Sequence, residues 1–150
     1  MAITKVTRHN TPAFYAYQSS DQTIANTTTT IVVFDTEVLD TNSNFASNTF
    51  TPTTAGKYSL TMSVSVYSNA VINACLGSIF KNTTEIARNA SHKPSTSEAG
   101  GYHTQTQTVI AEANGSGDFF NVKFYHDYGS NRDLEGLQYM TFFHGHKLIT

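Results

Sequence analysis

Between Tyr58 and Ser68 apolar and polar residues alternate without a break. Tyr58, Leu60, Met62, Val64 and Val66 fall on one side of an extended chain, and Ser59, Thr61, Ser63, Ser65 and Tyr67 on the other. Side chains alternate across a strand with a period of two, whereas a helix would scatter the same residues around its circumference. The segment is predicted to be a strand with one face in a core and one small, polar face.

The same period recurs less regularly elsewhere. Ala13–Gln18, Ile31–Phe34, Ile72–Lys81, Tyr102–Ala113, Phe119–His126 and Leu137–Ile149 read as further strands. Turn-forming stretches separate them at Asp40–Asn44, Thr53–Gly56, Ser91–Gly101, Asn114–Asp118 and Tyr128–Gly136. Many short strands at this spacing, with almost no helical periodicity, predict an all-β sandwich or barrel. The chain shows no internal repeat and no linker, so residues 1–12 read as an N-terminal arm and residues 13–150 as one domain.

Composition narrows the picture. Charged residues are only 13%, but ten Phe and eight Tyr supply a packed interior and argue against disorder. A formal net charge of −2 and the lack of a basic run exclude nucleic acid as an expected partner. No stretch approaches the roughly 20 apolar residues of a spanning helix, so no membrane is expected. Read as written, the first residues also lack the apolar segment of a secretory leader. Cys75, the one cysteine, cannot make an intramolecular disulfide and reads as a small buried residue, not a reactive thiol.

Phe34, Asp40, Phe45, Phe50, Gly56 and Tyr58 fall in an order that resembles the signature of the C1q-like domain. That signature runs from a Phe to an Asn or Asp, an aromatic, a second Phe and a Gly-x-Tyr strand. Here Phe45 and Phe50 stand closer than in the family, and Leu60 and Met62 replace its closing aromatics. Phe80-Lys81-Asn82 is similar to the family's Phe-Lys-Asn hairpin, and Gly117-Asp118 to its Gly-Asp turn. Phe143-His144-Gly145-His146 is similar to its terminal Phe-Ser-Gly-Phe strand. The resemblance implies a two-sheet jelly-roll sandwich, C1q- and tumour necrosis factor-like, assembled as a homotrimer. Independently, Thr53-Thr54-Ala55-Gly56 reads as a turn whose glycine can take positive φ. Phe34, Phe45, Phe50 and Tyr58 read as core.

The polar faces of the 58–68 and 102–113 strands carry Ser, Thr and Gln in place of Lys, Glu and Asp. A solvated sheet face usually carries more charge, whereas a surface that meets a partner sheds it. Ser63, Ser65, Tyr67, Gln105 and Gln107 are therefore expected at a trimer interface. On the last strand Phe143 and Gly145 share one face, and Met140, Phe142, His144 and His146 the other. With the first pair in the core, the second set needs cover from neighbouring subunits and joins the expected interface.

His144 and His146, at i and i+2, project to one face. Around a threefold axis each becomes a ring of three, able to hold a metal, an anion or water, or to act as a pH-sensitive contact. The plainer reading is two interface histidines hydrogen-bonded to neighbours, and on it no metal, cofactor or catalytic residue is assigned. There is no Gly-rich phosphate loop and no nucleophile elbow, and the six His are too scattered for a cupin-like ligand set. No enzyme is expected. Asp118, Asp127, Asp133 and Glu135 match no calcium-loop spacing and read as solvated loop carboxylates. The sequons at Asn26, Asn82, Asn89 and Asn114 read as unmodified surface loops.

The function expected from these readings is a non-enzymatic, trimeric structural protein of a bacteriophage particle, a capsid decoration protein located on the virion. Its partners would be itself and a major capsid protein or another virion protein, with Lys5 and Arg8 of the arm docking it. The alternative is a receptor- or glycan-binding C1q-like module, either a fibre-tip knob or a secreted or surface adhesin. Such a module would read its ligand with the Ser91–Gly101 and Tyr128–Gly136 loops.

Overall fold

A computed structural model of the chain describes residues 11–68, 73–92 and 101–149. Lys5 and Arg8, the expected docking residues, lie outside the described residues, as do residues 93–100 of the expected ligand-reading loop. Among the described residues there are thirteen strands and no helix. They are β1 (Ala13–Tyr17), β2 (Gln22–Ile24), β3 (Thr30–Ile31), β4 (Thr36–Asp40), β5 (Phe45–Ala46), β6 (Thr49–Phe50), β7 (Gly56–Ser68), β8 (Ala74–Lys81), β9 (Thr84–His92), β10 (Gly101–Ala113), β11 (Phe120–Asp127), β12 (Arg132–Leu134) and β13 (Phe142–Lys147).

The strands form two antiparallel sheets, as the pattern predicts. One has seven strands in the order β2-β12-β7-β13-β1-β4, with β10 on the free edge of β7. The other has six, β5-β6-β11-β8-β9, with β3 also on β11. β7 organises the first sheet. β10 pairs with it from end to end, while β13 takes Tyr58 to Ser63 and β12 takes Val66.

The apolar face of β7 is the floor of the core: Tyr58, Leu60, Met62, Val64 and Val66 are all fully buried. Phe14 from β1 and Phe143 from β13 extend that floor, and Phe45, Phe50, Phe120, Val122 and Phe124 descend on it from the second sheet. Phe14 stacks on Phe50 at 4.2 Å and meets Phe143 edge-on at 4.9 Å. Phe34, Phe45, Phe50 and Tyr58 are buried, as expected of them. Tyr58 keeps its hydroxyl satisfied by donating to the Thr54 carbonyl at 2.7 Å, so a phenol can sit at the core's edge without an orphaned polar atom. Gly56 begins β7 with φ of 144°, a conformation that L side chains rarely adopt.

Two expected turns are found. Asn82, at φ 56°, turns β8 into β9. Asp118 braces the turn from β10 to β11: its carboxylate accepts from Asn114 N at 2.9 Å and pairs with Lys81 at 3.0 Å. It is structural, not a solvated loop carboxylate.

Other expectations need correction. Ser91 lies within β9 instead of opening a turn. Asn89 lies inside that strand, its amide donating to the Thr106 carbonyl at 2.7 Å, so it is no loop sequon. The Tyr128–Gly136 stretch contains β12 and is pinned at its start, where Asn26 Oδ1 accepts from both Tyr128 N and Gly129 N at 3.0 Å. Only Thr30–Ile31 of the apolar run near Phe34 is strand, although Val32 and Phe34 are buried. Leu137–Thr141 is a turn, in which Met140 N and Thr141 N both donate to the Leu137 carbonyl.

Candidate functional site

The outer face of the seven-stranded sheet is the candidate site, and strand register fixes what lies on it. Paired residues on neighbouring strands project to the same side. One cross-strand row therefore runs Ala13, His146, Ser59, Ile110. The next runs Leu39, Tyr15, His144, Thr61, Thr108, and a third Tyr17, Phe142, Ser63, Thr106. Ser65 with Thr104 and Tyr67 with Tyr102 extend the face along β7 and β10 at one end, and Lys57 with Glu112 at the other. No Asp, Glu, Lys or Arg stands in the three middle rows; the charges of the face lie at its ends, at Lys57 and Glu112 and around Tyr67.

The opposite sheet differs. Its outer side carries Lys123, whose ammonium sits 4.2 Å from the Phe80 ring centroid, and the Glu85–Arg88 ion pair at 2.6 Å. The centre of the seven-stranded face is thus free of ions, its charges standing at the two ends, and the face also exposes large side chains. Ile110 is 62% exposed, Tyr102 56% and Tyr139, in the turn before β13, 76%; Tyr67 and Leu39 are also exposed. Tyr67 and Tyr102 pack edge-to-face at 5.3 Å, leaving their remaining surface to solvent.

The register sorts the expected interface residues. Tyr67, Phe142, His144 and His146 lie on this face, at least partly accessible. Met140 precedes β13 in the turn and is half-buried. Ser63 and Ser65 point outward as expected but are already covered by their own chain. Ser63 Oγ donates to the Met140 carbonyl at 2.9 Å, Ser65 N donates to Thr141 Oγ1 at 3.2 Å, and Ser65 Oγ lies 3.0 Å from Thr104 Oγ1. Their lack of charge has an intrachain cause.

Gln105 and Gln107 are misplaced by the expectation. They pair with Val64 and Met62, which face the core, so both glutamines point inward and the threonines between them point out. Gln105 is buried and donates to Ser91 Oγ at 2.9 Å. Polarity at alternate positions misled the reading, because the whole strand from Thr104 to Thr108 is polar and only the register with β7 tells its two faces apart.

Gln105 belongs to a polar end of the core, with Cys75, His126 and Tyr128. Burial pushes the Cys75 thiol up to about 11 despite the polar atoms of Tyr128 and Gln105 beside it, which makes it a protonated packing residue. Burial also raises Tyr128 and lowers His126, whose Nε2 lies 3.1 Å from the Ile24 carbonyl and so carries the ring proton.

On the outer face a cleft of about 440 Å³ opens between β13, β1 and β4, lined by Ala13, Phe14, Tyr15, Leu39, Phe142, His144, Gly145 and His146. Its walls are chiefly hydrocarbon and aromatic. The His144 ring stacks against Phe142 at 5.6 Å and meets Tyr15 edge-on at 5.9 Å. Burial and then the charge of His146 hold it below its ordinary pKa. A second, more polar hollow of about 250 Å³ gathers Asp21, Asp133, Glu135, Arg132, Asn131 and Tyr67. Glu135 is raised there by burial and then by the charges of Asp21 and Asp133. Among the described residues no three His, Cys, Asp or Glu of one chain are gathered to hold a metal ion.

No protein-family profile matches the chain, and no curated protein does. Solved structures match its shape. Murine APRIL at pH 8.5 superposes with a TM-score of 0.69 at 15% identity, covering 93% of this chain and 100% of that one. Murine APRIL at pH 5.0 gives 0.66 at 17% identity with the same coverage. Eiger TNF from S. frugiperda gives 0.64 at 12% identity, covering 94% of each chain. At these identities the likeness is one of fold, and the fold is an all-β, TNF-like jelly roll.

Proposed function

We propose that this jelly roll is a non-enzymatic homotrimeric module, assembled through the outer face of its seven-stranded sheet, and that it decorates the surface of a virus particle. The observation that carries the assembly is the charge-free, aromatic centre of that face. A solvated antiparallel sheet presents polar and ionic residues, as the six-stranded sheet does with Lys123, Glu85 and Arg88. The centre of the seven-stranded face instead presents Tyr15, Ile110, Phe142, His144 and His146 with no Asp, Glu, Lys or Arg among them, its charges lying at the two ends. Interface cores are depleted of charge and enriched in aromatics in this way. A TNF-like fold with one such face supports self-association by a closed rotation, in which no sticky surface is left over.

The placement on a particle rests on composition. The exposed edge strand of that sheet is Thr-rich, and only nine Lys and Arg occur in 150 residues, which leaves few basic sites for proteolysis on an exposed coat. Its partner there would be a major capsid protein or another virion protein. A receptor- or glycan-binding module, secreted or at a fibre tip, is supported instead by the pinned Tyr128–Gly136 loop, which Asn26 holds rigid enough to present side chains.

Sedimentation equilibrium of the purified protein at micromolar concentration is expected to give the mass of three chains of 16.4 kDa each. A single-chain mass would end the assembly reading. Incubation with intact particles, followed by imaging, is expected to show threefold knobs on a capsid lattice. Binding to a glycan array, with no particle decoration, would favour the recognition module.

A further inference from the structure

We propose that His144 and His146 form one half-shell of a transition-metal site, completed by the same pair from two further copies of the chain. The inference rests on the threefold assembly proposed above.

The two residues stand either side of Gly145 on β13. Their side chains share the outer face, while Gly145 turns to the core against Leu60 and Phe14. Both line the same cleft between β13, β1 and β4. Neither ring is tied up, since no described residue hydrogen-bonds to any of their four nitrogens. Their contacts are the ring packing of His144 on Phe142 and Tyr15. Tyr15 spends its own hydroxyl on the Gln138 carbonyl at 2.9 Å and competes for neither imidazole.

The chemistry of the surroundings suits a ligand pair. A metal takes imidazole nitrogens, and both rings line one cleft with their nitrogens unspent. The register neighbours Ala13, Tyr15, Leu39, Ser59 and Thr61 bring no ammonium or guanidinium that would repel a cation. Nor do they bring a carboxylate, so the donors are nitrogen alone, the set that favours zinc, copper, nickel or ferrous iron over calcium or magnesium. Two nitrogens are too few for a tight site, and one chain gathers no third ligand among the described residues. Strands of three copies converging on an axis would supply six imidazoles, enough to surround one ion octahedrally.

The test uses the full chain stripped with a chelator, titrated calorimetrically with Ni(II), with the mass of the same samples read by sedimentation. One Ni(II) is expected per three chains. His146→Ala, at an exposed position, and His144→Gln, which keeps a polar side chain of similar length, are each expected to lose that uptake while remaining trimeric. A trimer that takes up no Ni(II), or whose uptake survives both substitutions, overturns the metal site and leaves the assembly standing. A single-chain mass overturns the assembly, and the shared site with it.

Discussion

His126 is fully buried, with Nε2 against the Ile24 carbonyl. Burial, opposed by that hydrogen bond, holds its pKa below the ordinary 6.5. The unfolded chain therefore binds a proton where the folded chain does not, and stability falls as pH drops below about 6.5; above that value both states are neutral and pH has no effect through this group. His126→Gln can still donate to Ile24 but cannot titrate. Urea unfolding at fixed chain concentration should find the wild type ahead of the variant at pH 7.5, with the gap narrowing at pH 5. A gap of equal size at both pH values would show that His126 is not the titrating group. Residue-level readings of this kind divide sharply by how legible they were. Cys75 was readable as an inert packing residue from its small and apolar neighbours. Gln105 was not readable, because a glutamine in a Thr-rich strand gives no sign of facing inward to meet Ser91 across the sandwich.

Among the elements, β7 was legible to the residue because one of its faces is core along its length, and burial on one face imposes a strict period. β9 was hidden for the opposite reason. It lies at the edge of the six-stranded sheet, and Thr84-Glu-Ile-Ala-Arg-Asn-Ala-Ser-His gives little apolar alternation to read. β12 is held by pairing with β2, over a hundred residues away in sequence, and with one residue of β7, contacts that no local pattern can announce. At β13 the glycine between the two histidines is sterically required. A Cβ added at Gly145 would stand 2.6 Å from Leu60 Cδ2 and 2.9 Å from the Ser59 carbonyl oxygen. Overpacking of this kind costs about 1–3 kcal/mol, so Gly145→Ala should lower the urea midpoint with little change in slope. An unchanged midpoint would mean that β13 can shift outward at no cost.

For the molecule as a whole, the two-layer architecture was legible from alternation and turn spacing, and the charge-poor centre of the outer face was legible from the Ser and Thr of its strands. Which side chains make that face was only half legible. The sequence pointed to Ser63, Ser65, Gln105 and Gln107, yet the exposed groups that need a partner are Ile110, Tyr102 and Tyr67, set on the face by register with β7. Ile110 is the sharpest probe, because it is solvent-exposed in the single chain and so contributes little to its fold. Ile110→Lys would bury an unpaired ammonium at a contact between copies and should shift the sedimenting species towards one chain while the β-sheet circular dichroism holds. A variant that stays trimeric would move the contact away from this part of β10.

β13 follows all the other described strands, yet it lies in the middle of its sheet, between β1, the first of them, and β7. During synthesis on the ribosome the earlier strands must wait with a slot open between them, their backbone donors and acceptors unsatisfied, until Phe142–Lys147 emerges from the exit tunnel. Truncation before Phe142 would remove the slat that joins β1 to β7, and premature termination products should accumulate as aggregates or be degraded. The nascent chain must extend through Lys147 before this half of the sandwich can close.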